Sequence, residues 1–266
     1  MPDAPFTVST YHKQAFTYAR RSPRYAGLDP EGKCDPYVQK ALALARRKYP
    51  AGRAVLAKDV SFYKSEIGWI KGRVIDSFEE YRDTPRTGRG TADRVTATDR
   101  EILWDICTYY NEALRADRKM DFEDMILGGL AAVSSPGFHP PYTHIVLDEA
   151  QDCTFAALSF IARLVSPETN SITLVGDAAQ RIYQSGFSWA ETGIRVAGAR
   201  SREFKKNYRN TRQIFKAAAS LLAHESEQTD FTLAETPARE GAMPVLCQCP
   251  SPRIEADFLV RRIAEL

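Results

Sequence analysis

Residues 144–152, His144-Ile145-Val146-Leu147-Asp148-Glu149-Ala150-Gln151-Asp152, decide the fold of this chain. A short, continuous apolar run of this kind is typical of a buried strand in a parallel sheet. The acids that follow have a chemical use, because one carboxylate can hold hydrated Mg²⁺ beside a phosphate and a second can accept a proton from water. An acidic helix N-terminus, stabilised by the helix dipole, gives the same pattern without any chemistry. Both interpretations stay open on these residues alone.

A second apolar run lies downstream and is built in the same way. Ile172-Thr173-Leu174-Val175 ends in Gly176-Asp177, and a helical pattern over residues 154–165 separates the two runs. Strand, helix and strand at this spacing predict a βαβ unit with a parallel sheet. Chemistry in such sheets lies in the loops at the carboxyl ends of the strands, so both runs deliver acids to that edge.

The residues before this unit are mainly helical in pattern. Residues 20–133 are predicted to be almost wholly helical. Helix starts are predicted at Asp35 and at Asp121, the second helix running to about Val133. Thr98, followed three residues later by Glu101, predicts a capping box at the start of a further helix.

The two ends of the chain contain weaker signals. Residues 7–9 and 244–249 are short β-prone runs. A helix is predicted over residues 211–223, and a last one opens at Ser251-Pro252.

Composition indicates an ordinary globular chain, since the 266 residues are 44% hydrophobic and 26% charged. No apolar run approaches the ~18 residues that a membrane span needs, and the first residues lack the pattern of a secretory signal. The five cysteines are irregularly spaced, which argues against a disulfide scaffold and for a reducing compartment. We therefore expect a cytoplasmic protein that does not contact a membrane.

The net charge of +2 hides an asymmetry along the chain. Residues 1–120 carry 22 Lys or Arg against 16 Asp or Glu, whereas residues 121–200 carry 4 against 9. A basic block beside an acidic block suggests an anionic partner near the first and a metal near the second. Solvated faces on separate helices give the same balance.

Five sequence blocks, taken in order, resemble a known family. Leu147–Asp152, Val175–Tyr183 and Phe204–Thr211 resemble motifs II, III and IV of the UvrD/Rep/PcrA-type superfamily 1 DNA helicases. Val8–His12 looks like the Thr-Phe-His segment of that family, and Asp121–Met125 looks like the Asp-Phe-Asp-Asp-Leu block that precedes its motif II.

The resemblance implies a role in ATP hydrolysis for residues of motifs II and III. Asp148 would coordinate Mg²⁺ through water, and Glu149 would be the general base. Gln151 and Gln180 would couple the γ-phosphate to movement, and Asp177 would help to order the site. Phosphoryl transfer is catalysed mainly by such positioning and by neutralising charge.

The resemblance also implies contacts to the nucleotide and to DNA. Tyr208 would stack on adenine, and Arg209 would reach the γ-phosphate. His12 would touch the DNA backbone, while Tyr183 and Trp189 are the candidates to stack on bases. The Trp-Arg-Gly that the family has after Ile-Tyr is replaced here, which leaves open whether Trp189 stacks on DNA or lies in the core.

The fold that the resemblance implies is an α/β, P-loop NTPase (RecA-like) parallel sheet that is incomplete. Residues 1–20 and 121–202 would form a partial first RecA-like domain, interrupted by a helical insertion subdomain over residues 21–120. Residues 203–266 would begin a second RecA-like domain. The insertion contacts duplex or single-stranded DNA in the family, which fits its positive charge.

A Walker A loop, which family members need for the phosphates, is not evident in the expected place. Gly27–Cys34 fits G-x-x-x-x-G-K, but Cys34 stands where Ser or Thr should bind Mg²⁺, and no apolar strand precedes it. We therefore expect a central helicase segment without Walker A or the C-terminal motifs, weak or inactive alone, with a further polypeptide supplying the missing parts.

Three functions are consistent with these features. The first is an ATP-dependent DNA helicase or translocase of 3′→5′ type, acting with ATP and Mg²⁺ on single-stranded or partly duplex DNA. The second is a non-enzymatic module, derived from a helicase, that binds single-stranded DNA or a partner protein. The third is a metal-dependent nuclease that would use Asp148, Glu149 and Asp152.

Overall fold

The computed structural model describes residues 6–86, 95–176, 187, 189–194, 202–222 and 235–265. The chain divides into two compact units, Met1–Arg200 and Ser201–Leu266, and each is described here by itself. Helices and short parallel sheets are mixed in the first unit, which confirms the predicted α/β character.

The helices and strands of the first unit have the following bounds: α1 Tyr11–Ala19, β1 Asp29–Pro30, α2 Asp35–Lys48, α3 Val60–Gly72, α4 Phe78–Asp83, α5 Ala97–Ala116, β2 Lys119–Met120, α6 Phe122–Val133, β3 His144–Leu147, α7 Phe155–Arg163 and β4 Ser171–Leu174. Short 3-10 turns lie at Ala54–Ala57, Ala150–Asp152 and Trp189–Thr192.

Helices α2 to α5 surround one apolar core in the first unit. Tyr63, Tyr81 and Ile102 are among its fully buried side chains. Helix α5 is the longest of these helices, and its buried residues follow the predicted helical spacing: Ile102, Leu103, Ile106, Tyr110 and Leu114.

The predicted capping box of α5 is wrong by two residues. Thr96, not Thr98, is the N-cap, and its side chain accepts a hydrogen bond from Asp99 N–H while Asp99 closes the box. The aspartate has the shorter side chain, but its carboxylate oxygen reaches the Thr96 backbone N–H at 2.9 Å. Helix α5 therefore starts two residues earlier than the Thr-x-x-Glu pattern indicates.

A second apolar core joins α1, α6 and α7. Its buried side chains include Tyr18, Met125 and Phe160. Two adjacent glycines of α6 allow α1 to approach closely. A Cβ on Gly129 would lie 2.9 Å from the carbonyl oxygen of Ala15, and a Cβ on Gly128 would lie 2.7 Å from the Cβ of Ala19.

Replacing Gly129 with alanine is expected to lower the free energy of unfolding by about 2 kcal/mol, because the new Cβ overpacks a backbone contact. Gly68→Ala in α3 is the matched control, since the described residues place no heavy atom within 4 Å of a Cβ there. Alanine should stabilise that helix by roughly 0.5–1 kcal/mol. Urea unfolding of both variants checks this, and equal stability of Gly129→Ala and the parent protein would contradict it.

The predicted βαβ unit is present. Strand β3 pairs in parallel with β4, with His144 opposite Ser171 and Leu147 opposite Leu174. The expectation of a strand buried on both faces is wrong, because Val146 is 73% exposed. Ile145 and Leu147 pack against the second core, so in the described part of the chain this two-stranded sheet is covered on one face only.

The other predictions for strands differ from the structure. Residues 7–9 and 244–249 have no strand, although both are β-prone, because their backbone has no ladder partner among the described residues. Strands β1 and β2 pair in parallel and were not predicted. Strand β1 lies within Gly27–Cys34, where the Lys33 backbone N–H donates to the Glu31 carboxylate at 2.8 Å.

The second unit contains helices α8, Arg212–Leu222, and α9, Pro252–Ala264. Ser251 caps α9 as predicted, through a hydrogen bond from Ile254 N–H. The Arg212 N–H donates to the carbonyl oxygen of Arg239 at 2.8 Å, which ties the start of α8 to the segment before α9. In the part of the chain that the structure describes, no helix is long and apolar enough to cross a membrane.

Candidate functional site

The acidic residues of the candidate site follow directly on β3. Asp148 and Glu149 are exposed, and Gln151 lies in the 3-10 turn that comes next. Glu149 has φ +52° and ψ +40°, in the left-handed region that a residue with a Cβ avoids. Such a conformation costs about 1–2 kcal/mol, so the surrounding structure must hold it in place.

Hydrogen bonds hold this strained turn against the sheet. The Ala150 N–H donates to the Val175 carbonyl at 2.9 Å, and the Val175 N–H donates to the Leu147 carbonyl at 2.8 Å. The turn is therefore anchored to the carboxyl ends of both parallel strands, as the sequence predicts.

The side chains of the turn contact one another. The Glu149 backbone N–H donates to Asp148 Oδ1 at 3.0 Å, and Gln151 Nε2 donates to Glu149 Oε2 at 2.6 Å. Gly176 leaves the space that the Gln151 side chain occupies, since a Cβ there would lie 2.7 Å from Gln151 Oε1. The structure thus brings together three of the predicted site residues.

The exposed carboxylate of Asp148 fits a hydrated Mg²⁺. Among the residues with described positions, no group of three or more His, Cys, Asp or Glu side chains could hold a metal ion. Mg²⁺ beside a nucleotide does not require such a group, since it is usually bound by one or two carboxylates, water and phosphate oxygens.

Several predicted site residues cannot be placed. Asp177, Gln180 and Tyr183 lie outside the described residues. Trp189 begins the 3-10 turn Trp189–Thr192, but its side chain also lies outside them.

The second unit positions Tyr208 and Arg209 before α8. Asn207 Oδ1 accepts hydrogen bonds from the backbone N–H groups of Arg209 and Asn210, both at 3.1 Å, which fixes the turn. Tyr208 is 77% exposed, and the Lys206 ammonium lies 5.3 Å from its ring centroid. The phenol ring therefore presents a surface on which a base can stack.

His12 lies in the first turn of α1, which Thr10 caps. Its ring packs edge-on against Phe122 with 5.4 Å between centroids. Burial lowers the pKa of His12 below its ordinary value, which favours the neutral form of its imidazole.

Phe122 was missed by the sequence reasoning. It is 51% exposed although it is a large apolar side chain, and it lies beside His12 at the start of α6. An aromatic residue at the first position of a helix, directly after its N-cap, is the signal that could have marked it. We refer to Tyr11, His12 and Phe122 as the aromatic surface.

A network of buried charges lies at the N-terminus of α6. Lys71 Nζ contacts Asp121 Oδ2 at 2.7 Å and Asp124 Oδ1 at 2.9 Å. The Tyr110 hydroxyl donates to Asp121 Oδ2 at 2.8 Å. Burial alone would lower the pKa of Lys71, but the two carboxylates raise it above its ordinary value, so the ammonium stays charged. We call these four residues the buried network.

Glu123 lies between Asp121 and Asp124 in sequence but is not one of the four residues of this network. Its Oε2 atom is buried and has no hydrogen-bond partner among the residues that the structure describes. Burial raises the pKa of Glu123 to about 7, with Asp121 and Asp124 adding to the effect and Lys71 opposing it. Tyr11 of α1 also lies within electrostatic reach of this carboxylate.

Glu123 should make the stability depend on pH. Its pKa in the folded state, about 7, lies above the ordinary value of 4.5, so the folded protein binds the proton more tightly. The resulting stability is complete below pH 4.5 and is lost as the pH rises through 7, by roughly 3 kcal/mol in total. Glu123→Gln should remove this pH-dependent contribution and be more stable than the parent protein at pH 8.

The measurement is urea unfolding of the parent protein and of Glu123→Gln between pH 5 and pH 8. Because other groups titrate in this range, the quantity to compare is the difference in the free energy of unfolding between the two proteins at each pH. Glu112→Gln, an exposed glutamate of α5, is the control and should run parallel to the parent. A constant difference for Glu123→Gln across the range would contradict the prediction.

Comparison with known proteins assigns the family. Residues 56–195, more than half of the chain, match the model of the UvrD/REP helicase N-terminal domain. The chain is 29% identical over 168 residues to DNA helicase II of Rickettsia typhi, covering 59% of this chain and 25% of that protein. It is 25% identical over 277 residues to a probable DNA helicase II homolog of Mycoplasma capricolum, covering 99% and 36%.

ATP-dependent DNA helicase UvrD1 of Mycobacterium tuberculosis is 27% identical over 176 residues, covering 59% of this chain and 22% of that protein. The chain thus spans between 22% and 36% of the length of these relatives. The family match contains the β3–β4 unit and its strained acidic turn. By this match, the chain belongs to the UvrD/REP helicase family.

Proposed function

We propose that this chain is part of an ATP-dependent DNA helicase or translocase of 3′→5′ type. The observation that carries the proposal is the turn after β3, where Gln151 holds the Glu149 carboxylate at the ends of two parallel strands. In this proposal residues 1–20 and 121–202 belong to a P-loop NTPase (RecA-like) domain. Residues 21–120 are its helical insertion, and residues 203–266 begin a second RecA-like domain.

Glu149 is the proposed general base for hydrolysis. The left-handed backbone turns this residue away from the line of β3, and the Gln151 amide fixes its carboxylate at 2.6 Å. An oriented, exposed carboxylate can take a proton from an attacking water. Gln151 would sense the γ-phosphate through the same amide, so that movement of one side chain changes the position of the other.

Asp148 would hold Mg²⁺, which when bound neutralises charge on the phosphates. Tyr208 would stack on adenine through its exposed ring, and Arg209 would reach the γ-phosphate. Gln180 and Asp177 complete the proposed set for ATP.

DNA would bind at the aromatic surface and along the basic insertion. Phe122 is 51% exposed and lies beside the partly buried His12, and stacking on aromatic rings suits binding without sequence preference. Tyr183 and Trp189 are proposed as further stacking residues. The thiols of all five cysteines are free, which supports a reducing compartment such as the cytoplasm.

A further polypeptide segment is proposed to complete the motor. Parallel sheets are normally covered on both faces, whereas Val146 of β3 is 73% exposed. An additional strand or helix that buries Val146 would supply the rest of the sheet.

The test uses the longest polypeptide that the gene encodes around this chain. ATP hydrolysis stimulated by single-stranded DNA, together with 3′→5′ displacement of a labelled strand, would support the proposal. Salt-dependent DNA binding that nucleotides do not change would favour the non-enzymatic binding module instead. Mg²⁺-dependent DNA cleavage without ATP would favour a nuclease that uses Asp148, Glu149 and Asp152.

A further inference from the structure

The buried network connects the insertion to the start of α6. Lys71 comes from α3 and Tyr110 from α5, whereas Asp121 and Asp124 cap α6. Lys71 is 5% exposed, and both carboxylates are nearly as buried. A contact between residues that are 50 positions apart in sequence therefore determines the charge balance at this helix end.

Asp121 has two tasks in this network. One oxygen, Oδ1, accepts the Asp124 N–H at 2.7 Å and so caps α6. The other, Oδ2, accepts from Lys71 at 2.7 Å and from the Tyr110 hydroxyl at 2.8 Å. Because one rigid carboxylate group makes all three bonds, the insertion sets the orientation of the cap.

Phe122 is the residue directly after this cap. Its side chain is half-exposed and meets His12 only edge-on, at 5.4 Å between centroids. The orientation of this side chain therefore depends on the backbone of Phe122, and the Asp121 cap fixes the backbone at this point. The network thus lies beneath the part of the aromatic surface that would meet DNA.

We propose that Tyr110 and Lys71 are positioning residues for single-stranded DNA, acting through Asp121 on Phe122. The inference rests on the proposed DNA-binding function and adds a means by which the insertion controls it. Neither residue touches DNA in this arrangement, because both are buried.

The test is a double-mutant cycle between Tyr110→Phe and Phe122→Ala. Affinity for a fluorescein-labelled oligothymidine is measured by anisotropy, and stacking is followed with 2-aminopurine in the strand. Phe122→Ala should weaken binding about five- to a hundredfold, as expected for a lost stacking contact. Tyr110→Phe should weaken it about three- to fivefold and reduce 2-aminopurine quenching. In the Phe122→Ala background, Tyr110→Phe should have almost no further effect.

Tyr63→Phe is the matched control. The Tyr63 hydroxyl is also buried and donates a hydrogen bond to the Val55 carbonyl at 2.6 Å, but it lies in the core of the insertion. Tyr63→Phe should lower the free energy of unfolding about as much as Tyr110→Phe, without changing DNA affinity or 2-aminopurine quenching. Equal losses of affinity in both tyrosine variants would show a general effect of stability and overturn the inference.

The remaining outcomes separate the inference from the proposed function. If Phe122→Ala weakens binding but Tyr110→Phe does not, or if their effects add, the inference fails while the DNA surface stands. If Phe122→Ala has no effect although the chain binds DNA, the aromatic surface and the inference both fail. Should Tyr110→Phe not fold, Asp121→Asn keeps an N-cap acceptor and weakens the pairing with Lys71. The same lack of additivity with Phe122→Ala is then expected, and additivity overturns the inference.

Discussion

Replacing Lys71 with methionine is expected to lower the free energy of unfolding by roughly 3–5 kcal/mol. Methionine fills a similar volume but leaves Asp121 and Asp124 buried without their cation, which now lies 2.7 Å and 2.9 Å from them. Burial raises the pKa of Asp124 already in the parent protein, so one lysine is barely enough for two carboxylates. Without it, at least one of them must take up a proton.

The control for this prediction is on the same helix. Lys64 of α3 contacts Asp35 at 2.6 Å, but both side chains are about half exposed. Lys64→Met should change stability by only about 0–1 kcal/mol, because exposed ion pairs are weak. Urea unfolding at pH 7 compares the two variants. A loss for Lys71→Met no larger than that for Lys64→Met would contradict the argument from burial.

The helix ends were the most predictable part of the fold. Asp121 and Ser251 are N-caps as predicted, and α2 begins at Asp35. These signals are local, since a cap involves residues only three positions apart. The capping box of α5 shows the limit, because Thr96 and Thr98 both had an acid three residues later and the sequence offered no means to choose between them.

Contacts between distant residues could not be predicted from the pattern. In the sequence, Lys71 is an ordinary charged residue of a helical segment, yet in the structure it is buried against Asp121, 50 positions away. The β1–β2 pair likewise joins two residues near position 30 to two near position 120. Apolar runs located β3 and β4, but only the pairing shows that one face of this sheet stays open at Val146.

The candidate site was predictable where its residues are contiguous. Asp148, Glu149 and Gln151 lie together because one turn carries them. The left-handed backbone of Glu149 was not predictable, since the residue type disfavours it. Phe122 was not predicted as a site residue, because its contact with His12 joins residues that are far apart in sequence and adjacent in space.

Glu149→Gln is expected to reduce ATP hydrolysis by about 10²- to 10⁴-fold in the longest polypeptide that contains this chain, the range for loss of a general base. An amide cannot accept the proton of the attacking water. Its oxygen can still accept the hydrogen bond from Gln151, which is 2.6 Å long in the parent protein, so the turn should keep its shape. The loss therefore falls on the chemical step and not on folding.

Two measurements distinguish an effect on the chemical step from an effect on folding. Affinity for single-stranded DNA should stay within about twofold of the parent, because the aromatic surface is unchanged and the substitution removes only one exposed charge. The control Glu168→Gln replaces another exposed glutamate of the first unit and should leave hydrolysis unchanged. Hydrolysis by Glu149→Gln at the parental rate would mean that another group takes the proton. The strained backbone at Glu149 would then serve only to join β3 to the following turn.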